Sequence, residues 1–241
     1  MSPHLVLAHG FTQTARSWDP LRPVVTDRMP SCSFAAVDLP GHGESAARDG
    51  DLWVAADHLV ERGGHGVYVG YSLGGRVALH AAVAHPDSVD RLVLIGATAG
   101  IDDEHERAAR RAADEELAAR IERDGVESFI DWWLRNPLFA GLDSSIDQRD
   151  DRLRNTAVGL ASSLRSCGTG TQEPLWDRLG ELRTPTLVLV GAEDQKFRDL
   201  GERLVAELVD AELVVVPDAG HSVHLEQPGA TVDAIADWLR R

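Results

Sequence analysis

Six short apolar runs, each separated from the next by a longer and more polar stretch, constrain this chain more than any other feature. They span residues 4–8, 34–38, 67–71, 92–96, 186–190 and 212–216 and are rich in Val, Leu and Ile. Their apolar residues are nearly continuous rather than alternating, the pattern of strands covered on both faces. Between them, residues 18–28, 51–61, 73–84, 199–208 and 231–239 carry helical patterning. This alternation predicts an α/β fold built on a mostly parallel, doubly wound sheet. The 241 residues suit one such domain, large enough to bury roughly 70–75% of its unfolded surface without staples.

One interval breaks the rhythm. From about residue 100 to 176 no strand-like run occurs. Residues 102–123 are charged, alanine-rich and high in helix propensity. Trp132, Trp133, Leu138 and Phe139 follow, flanking Asn136 and Pro137. Roughly 90 residues between two strands, with helices alone to fill them, predict a helical cap inserted after the fourth strand.

Composition excludes several function classes. Apolar residues make up 43% and charged residues 26%, as in soluble globular domains. No run approaches the ~20 apolar residues of a membrane span. The start, MSPHLVLAHGF, has no basic segment and no small-residue cleavage site, so no signal peptide is expected. Cys32 and Cys167 lie far apart in no metal-type spacing, which favours reduced thiols in a cytoplasm over a disulfide framework. The net charge of −15 argues against a nucleic-acid partner, since phosphate binding needs clustered Lys and Arg. It also sets a condition: an anionic substrate needs a local basic pocket inside a repelling field. Nothing in the sequence fixes an oligomeric state.

The chemistry centres on VYVGYSLGGRVALHAAVAHP, which holds G-x-S-x-G at Gly70, Ser72 and Gly74. An apolar strand precedes it and an alanine-rich helix follows, the setting of a nucleophile elbow. The glycines remove side chains where strand and helix meet, and Ser72 sits at a helix N-terminus that favours developing negative charge. The plainer reading is a serine capping a crossover helix.

A serine hydroxyl needs a base. On an elbow of this kind the acid follows the serine in sequence and the histidine comes last. TPTLVLVGAEDQKF ends a strand with Glu193 and Asp194, and Asp194 is preferred because it lies one residue further out. The next strand leads into DAGHSVHLEQP, which carries His221 beside Gly220. Both candidates follow strands at the carboxyl edge of the sheet, where such sheets place their sites. Asp194 could instead cap the next helix, and His224 is a rival base. The His-x-x-His pair lacks a Cys or further acid, so no metal is expected. Two backbone N–H groups should form an oxyanion hole: Leu73, after the serine, and Phe11, in the His9-Gly10-Phe11 loop after the first strand.

Taken together, HGF, VDLPGHGES, GYSLGG, GAED and AGH resemble the α/β-hydrolase superfamily over nearly the whole chain. GYSLGGR, DWWLRNPLFAGL, SLRSCGTGTQEPLWDRL and GAEDQKF further resemble the 2-succinyl-6-hydroxy-2,4-cyclohexadiene-1-carboxylate synthases of menaquinone biosynthesis. That resemblance implies the α/β-hydrolase fold and a Ser72–His221–Asp194 triad that eliminates pyruvate without a cofactor. It also implies a small, multiply carboxylated substrate, and substrate contacts at Tyr71, Arg76, Arg110, Trp132, Arg154 and Lys196. Arg111 or Arg107 could replace Arg110 after a small shift. Relatives carry a strand pair before the HGF strand; here eight residues precede His9, and that sheet edge is expected to be missing.

The arginines fit the chemistry. A carboxylated substrate calls for guanidinium forks, whereas a neutral ester does not. A carboxylesterase or carbon–carbon bond hydrolase would use the same triad, and a catalytically silent scaffold would have no need of all three groups.

Overall fold

The computed structural model describes residues 2–241. Six strands form one all-parallel sheet in the order β2-β1-β3-β4-β5-β6. They are β1 (His4–Ala8), β2 (Ser33–Val37), β3 (Gly66–Tyr71), β4 (Val89–Ile95), β5 (Thr186–Gly191) and β6 (Ala211–Val216). Each apolar run of the sequence thus becomes a strand, with ends shifted by up to three residues.

Successive side chains of a strand point to opposite faces, so a run that is apolar throughout demands cover on both. Val6 and Ala8 enter one core while Leu5 and Leu7 enter the other, and β5 divides its residues in the same way. On one face lie α2 (Leu52–Gly63), α3 (Leu73–Ala84) and α8 (Gln195–Glu207); on the other lie α1 (Arg22–Arg28) and α10 (Pro228–Leu239). The sheet is therefore doubly wound.

The expected helix at 18–28 is broken. Pro20 and Pro23 each remove a backbone donor, so a 3-10 turn over Ala15–Leu21 precedes α1, and Pro23 falls in its first turn, where that donor is not needed. α8 begins earlier than its pattern suggested because Asp194 caps it through Phe197 N–H at 3.2 Å.

Between β4 and β5 the described residues form helices only: α4 (Glu104–Trp133), α5 (Arg149–Arg152), α6 (Ala157–Cys167) and α7 (Trp176–Leu179), with short 3-10 turns. α4 is interrupted at Gly125, whose φ of 78° no helix interior adopts. Its two parts fold onto α6 and bury Ala118, Ile121, Phe129 and Ile130 against Leu160, Ala161 and Leu164. This third core stands apart from the two that flank the sheet. No helix among the described residues is long and apolar enough to cross a membrane.

Candidate active site

Ser72 joins β3 to α3 with φ 51° and ψ −107°, a left-handed φ that costs a non-glycine residue ~1–3 kcal/mol. Two hydrogen bonds hold the turn: Ser72 N–H donates to Ile95 O at 2.9 Å, and Arg76 N–H to Ser72 O at 3.1 Å. The flanking glycines have no substitutes. A Cβ on Gly70 would lie 2.2 Å from Gly74 O, and one on Gly74 would lie 2.1 Å from Ala8 O. Both obstacles are backbone, which cannot rotate away. Gly74→Ala is therefore expected to cost about 3 kcal/mol, seen as a thermal midpoint lowered by roughly 6–12 °C.

His221 and Asp194 meet across two loops. His221 Nδ1 is 2.9 Å from Asp194 Oδ2, and both side chains are almost fully buried. The two carboxylate oxygens divide their work, since Oδ1 caps α8 while Oδ2 orients the imidazole. Glu193 is exposed and takes no part. Ser72 and His221 line one cavity without a direct hydrogen bond between them. Such contacts are often long before substrate binds.

His224 lies fully buried between the rings of Trp18 and Tyr71, and neither of its nitrogens has a partner. Desolvation, with His221 nearby, lowers its pKa to about 3, so it is a neutral packing group rather than a base. Sequence reasoning missed Glu226, on the short helix α9 (Val223–Glu226). Its carboxylate accepts from Gly220 N–H at 2.7 Å and Ser222 N–H at 2.9 Å, bracing the loop on both sides of His221. The signal was present in HSVHLEQP, but an acid five residues from a histidine has no distinctive spacing.

The loop after β1 is shaped by His9. Leu39 N–H donates to its Nε2 at 3.0 Å, so Nδ1 must carry the proton, which goes to Gly10 O at 2.9 Å. A turn over residues 10–13 follows, closed by Gln13 N–H to Gly10 O at 3.2 Å, and Thr12 within it has φ 70°. Neither Phe11 N–H nor Leu73 N–H is used by the turn bonds that close these two loops. Both residues line the cavity beside Ser72.

That cavity measures about 160 Å³. A wider groove of about 930 Å³ beside β2, lined by Arg16, Asp38, His58 and Arg62, contains none of these groups. Arg76, Arg110 and Lys196 all reach the cavity wall. Arg76 is 8% exposed and its side chain makes one hydrogen bond, from Nη1 to Gln172 Oε1 at 3.3 Å; no carboxylate lies within 4.0 Å of it among the described residues. Desolvation, with a smaller contribution from Arg110, lowers its pKa to about 10, so it stays cationic at neutral pH. Arg110 gives Nε to Asp114 at 2.8 Å. Of the alternatives to it, Arg111 donates to Gly170 O and Arg107 to Ile101 O.

Three of the expected contact residues do not line this cavity. Tyr71 is buried below the cavity, its hydroxyl 2.8 Å from Ser222 Oγ and its ring 5.3 Å from that of His221. Trp132 is half-buried against the cap core, with Arg120 stacked 3.9 Å over its ring, and Trp133 lines the cavity. Arg154 is exposed, whereas Arg152, two residues earlier, is buried and donates to Thr12 Oγ1 and to Asp147 O. No cluster of metal-ligating side chains occurs among the described residues.

Comparison with known proteins agrees with this fold. A model of the alpha/beta hydrolase family matches residues 5–234. A relative from Salmonella paratyphi C, named 2-succinyl-6-hydroxy-2,4-cyclohexadiene-1-carboxylate synthase, is 35% identical and covers 99% of this chain and 94% of its own. One of the same name from Salmonella typhimurium is 34% identical with the same coverage. The structure of MenH from S. aureus matches with a TM-score of 0.89 at 28% identity, covering 100% of this chain and 94% of that one. A malate-bound esterase from Thermogutta terrifontis matches at 0.85 and 26%, covering 99% and 89%. The chain belongs to the alpha/beta hydrolase family, and within it groups with the 2-succinyl-6-hydroxy-2,4-cyclohexadiene-1-carboxylate synthases.

Proposed function

We propose that this protein is a carbon–oxygen lyase. It eliminates pyruvate from 2-succinyl-5-enolpyruvyl-6-hydroxy-3-cyclohexene-1-carboxylate to give 2-succinyl-6-hydroxy-2,4-cyclohexadiene-1-carboxylate. The observation that carries this reading is Arg76, a buried guanidinium with no carboxylate within 4.0 Å among the described residues, one helical turn from Ser72 on the wall of its cavity. A buried cation without a partner is costly, and a substrate carboxylate would supply what is missing. Arg110 and Lys196 add positive charge on the same wall, against an overall charge of −15. The names of the sequence relatives support the same substrate.

The residues divide the work as follows. His221 takes the Ser72 proton, and Asp194 holds the imidazole and offsets its positive charge. The Ser72 oxygen then removes the ring proton beside the succinyl ketone. Negative charge moves onto the ketone oxygen, against the N–H groups of Phe11 and Leu73; one such donor is worth roughly 2.7–4 kcal/mol. As the enolate collapses, the ring double bond shifts and the carbon–oxygen bond to the enolpyruvyl group breaks. The released enolate takes up a proton on carbon and becomes pyruvate, balancing the proton that His221 gives up to return to its neutral form. No acyl-enzyme forms and no cofactor enters. Residues 100–176 act as a cap over this site. The cavity is smaller than the ~300 Å³ usual for ligand sites, so substrate binding is expected to move the cap outward. The two free cysteines suit a cytoplasmic enzyme.

The test is pyruvate release from the enolpyruvyl substrate, measured beside hydrolysis of short nitrophenyl esters. Fast ester turnover with no pyruvate would reject the lyase in favour of a hydrolase. Arg76→Ala is expected to lower kcat/KM for the carboxylated substrate by ~100-fold, and a loss below about threefold would refute the carboxylate contact.

A further inference from the structure

We infer that the segment 148–155 clamps the oxyanion loop in its donor geometry, with Asn155 as the positioning residue. The inference rests on Phe11 N–H being one of the two oxyanion donors. Thr12 is the third residue of the turn closed by Gln13 N–H and Gly10 O, and its φ of 70° is the conformation that a type II turn reserves for glycine. A β-branched residue resists that conformation. Left alone, the turn would relax to the type I form, which rotates the peptide between residues 11 and 12 by about 180°. That rotation would reverse a peptide dipole directly beside the donor.

The chain prevents this from outside the loop. Asn155 Nδ2 donates to Thr12 O at 2.6 Å and Arg152 Nη1 to Thr12 Oγ1, while Arg152 also lies 3.4 Å from Phe11 O. Both sides of the strained residue are thereby fixed. Asp151 accepts from Thr14 N–H at 2.9 Å, and Gln148 Nε2 donates to Ser17 O at 2.8 Å. Asn155 Oδ1 accepts from Gly43 N–H at 3.0 Å, so the same side chain anchors a second loop. A turn that its own sequence disfavours is thus held by buried groups more than 130 residues away along the chain.

The decisive variant is Asn155→Ala, which removes the bond to Thr12 O. It is expected to lower kcat for pyruvate release by ~10–100-fold, with KM changed less than threefold. The rate at which a fluorophosphonate labels Ser72 should fall in parallel. Adding Thr12→Gly should restore kcat at least threefold, because glycine holds the turn without the clamp; a residue that only stabilised the fold would gain nothing from that change. If Asn155→Ala does not fold, Asp151→Asn at the rim should lower kcat in the same sense. Unchanged kcat and labelling, or a loss that Thr12→Gly leaves uncorrected, would overturn the clamp. Wild-type protein that labels but releases no pyruvate would refute the lyase alone, and the labelling rates would still decide the clamp. Failure of the wild type in both assays would overturn both.

Discussion

Replacing Ser72 by alanine is expected to cut pyruvate release by ~10⁴-fold or more, and the same change in the His221→Ala background should cost almost nothing further. The near-absence of a second loss follows from the proton path. The imidazole has no task except to take the Ser72 proton, so removing either group disables both, and effects of residues acting as a unit do not add. Residual activity would come from Arg76 and the two loop amides, which bind the substrate and its developing charge without the serine. Asp194→Asn provides a separate reading. An amide oxygen can still cap α8 through Phe197 N–H, so the fold survives. The group facing His221 Nδ1 would no longer carry a charge, and a loss of ~10³–10⁴-fold is expected. Steady-state kinetics on the three variants and the double mutant check this. A Ser72→Ala enzyme within tenfold of wild type would remove the serine from the mechanism.

The strands were legible because burial on both faces leaves a mark that no solvent-facing strand can imitate. Their order in space was not written in any run; it follows from the crossovers, which place β1 between β2 and β3, one strand in from the sheet edge. The order of elbow, acid and histidine was equally readable, since each sits where a strand ends. The angular detail of helices was not legible. Trp132 and Trp133 are adjacent, yet one helical step of about 100° puts one against Arg120 and the other into the cavity, and the break at Gly125 resets that angle. The same holds for Arg152 and Arg154. Arg152 ends and Arg154 follows a four-residue helix entered through a left-handed Gln148, and no periodic pattern extends far enough there to say which one turns inward. The clamp on Thr12 was illegible for a different reason: it joins residues more than 130 apart whose types, Thr, Asn and Arg, are ordinary at any surface.

Acid should unfold this protein well before its carboxylates titrate. His42 and His224 are fully buried, and desolvation lowers the pKa of each to about 3; His42 also faces His9, and His224 faces His221 and Arg152. His80 is lowered to about 4, chiefly by desolvation, with Arg76 and Arg178 opposing its charge and Asp51 favouring it. In the unfolded chain these rings take up protons near the ordinary value of about 6.5. Above that value neither state is protonated, and the histidines leave stability unchanged. As pH falls below it, the unfolded state alone binds protons, and each histidine costs about 1.4 kcal/mol per pH unit until its folded pKa is reached. At pH 5 the three together remove about 6 kcal/mol, comparable to the whole stability of many domains. The carboxylates held low by partners, such as Glu115 and Glu122 beside Arg165, act only below their ordinary range near 4.5, so the interval from pH 6.5 to 5 isolates the histidines. Urea unfolding at pH 7.5 and 5.0 should show the loss. His224→Phe separates the cause: the ring remains between Trp18 and Tyr71, two unpartnered nitrogens disappear, and up to about one third of the pH dependence should go with them, less as His9 and His58, whose pKa values burial also lowers, contribute. Equal urea midpoints at the two pH values, or an unaltered slope in His224→Phe, would contradict the neutral burial on which this rests.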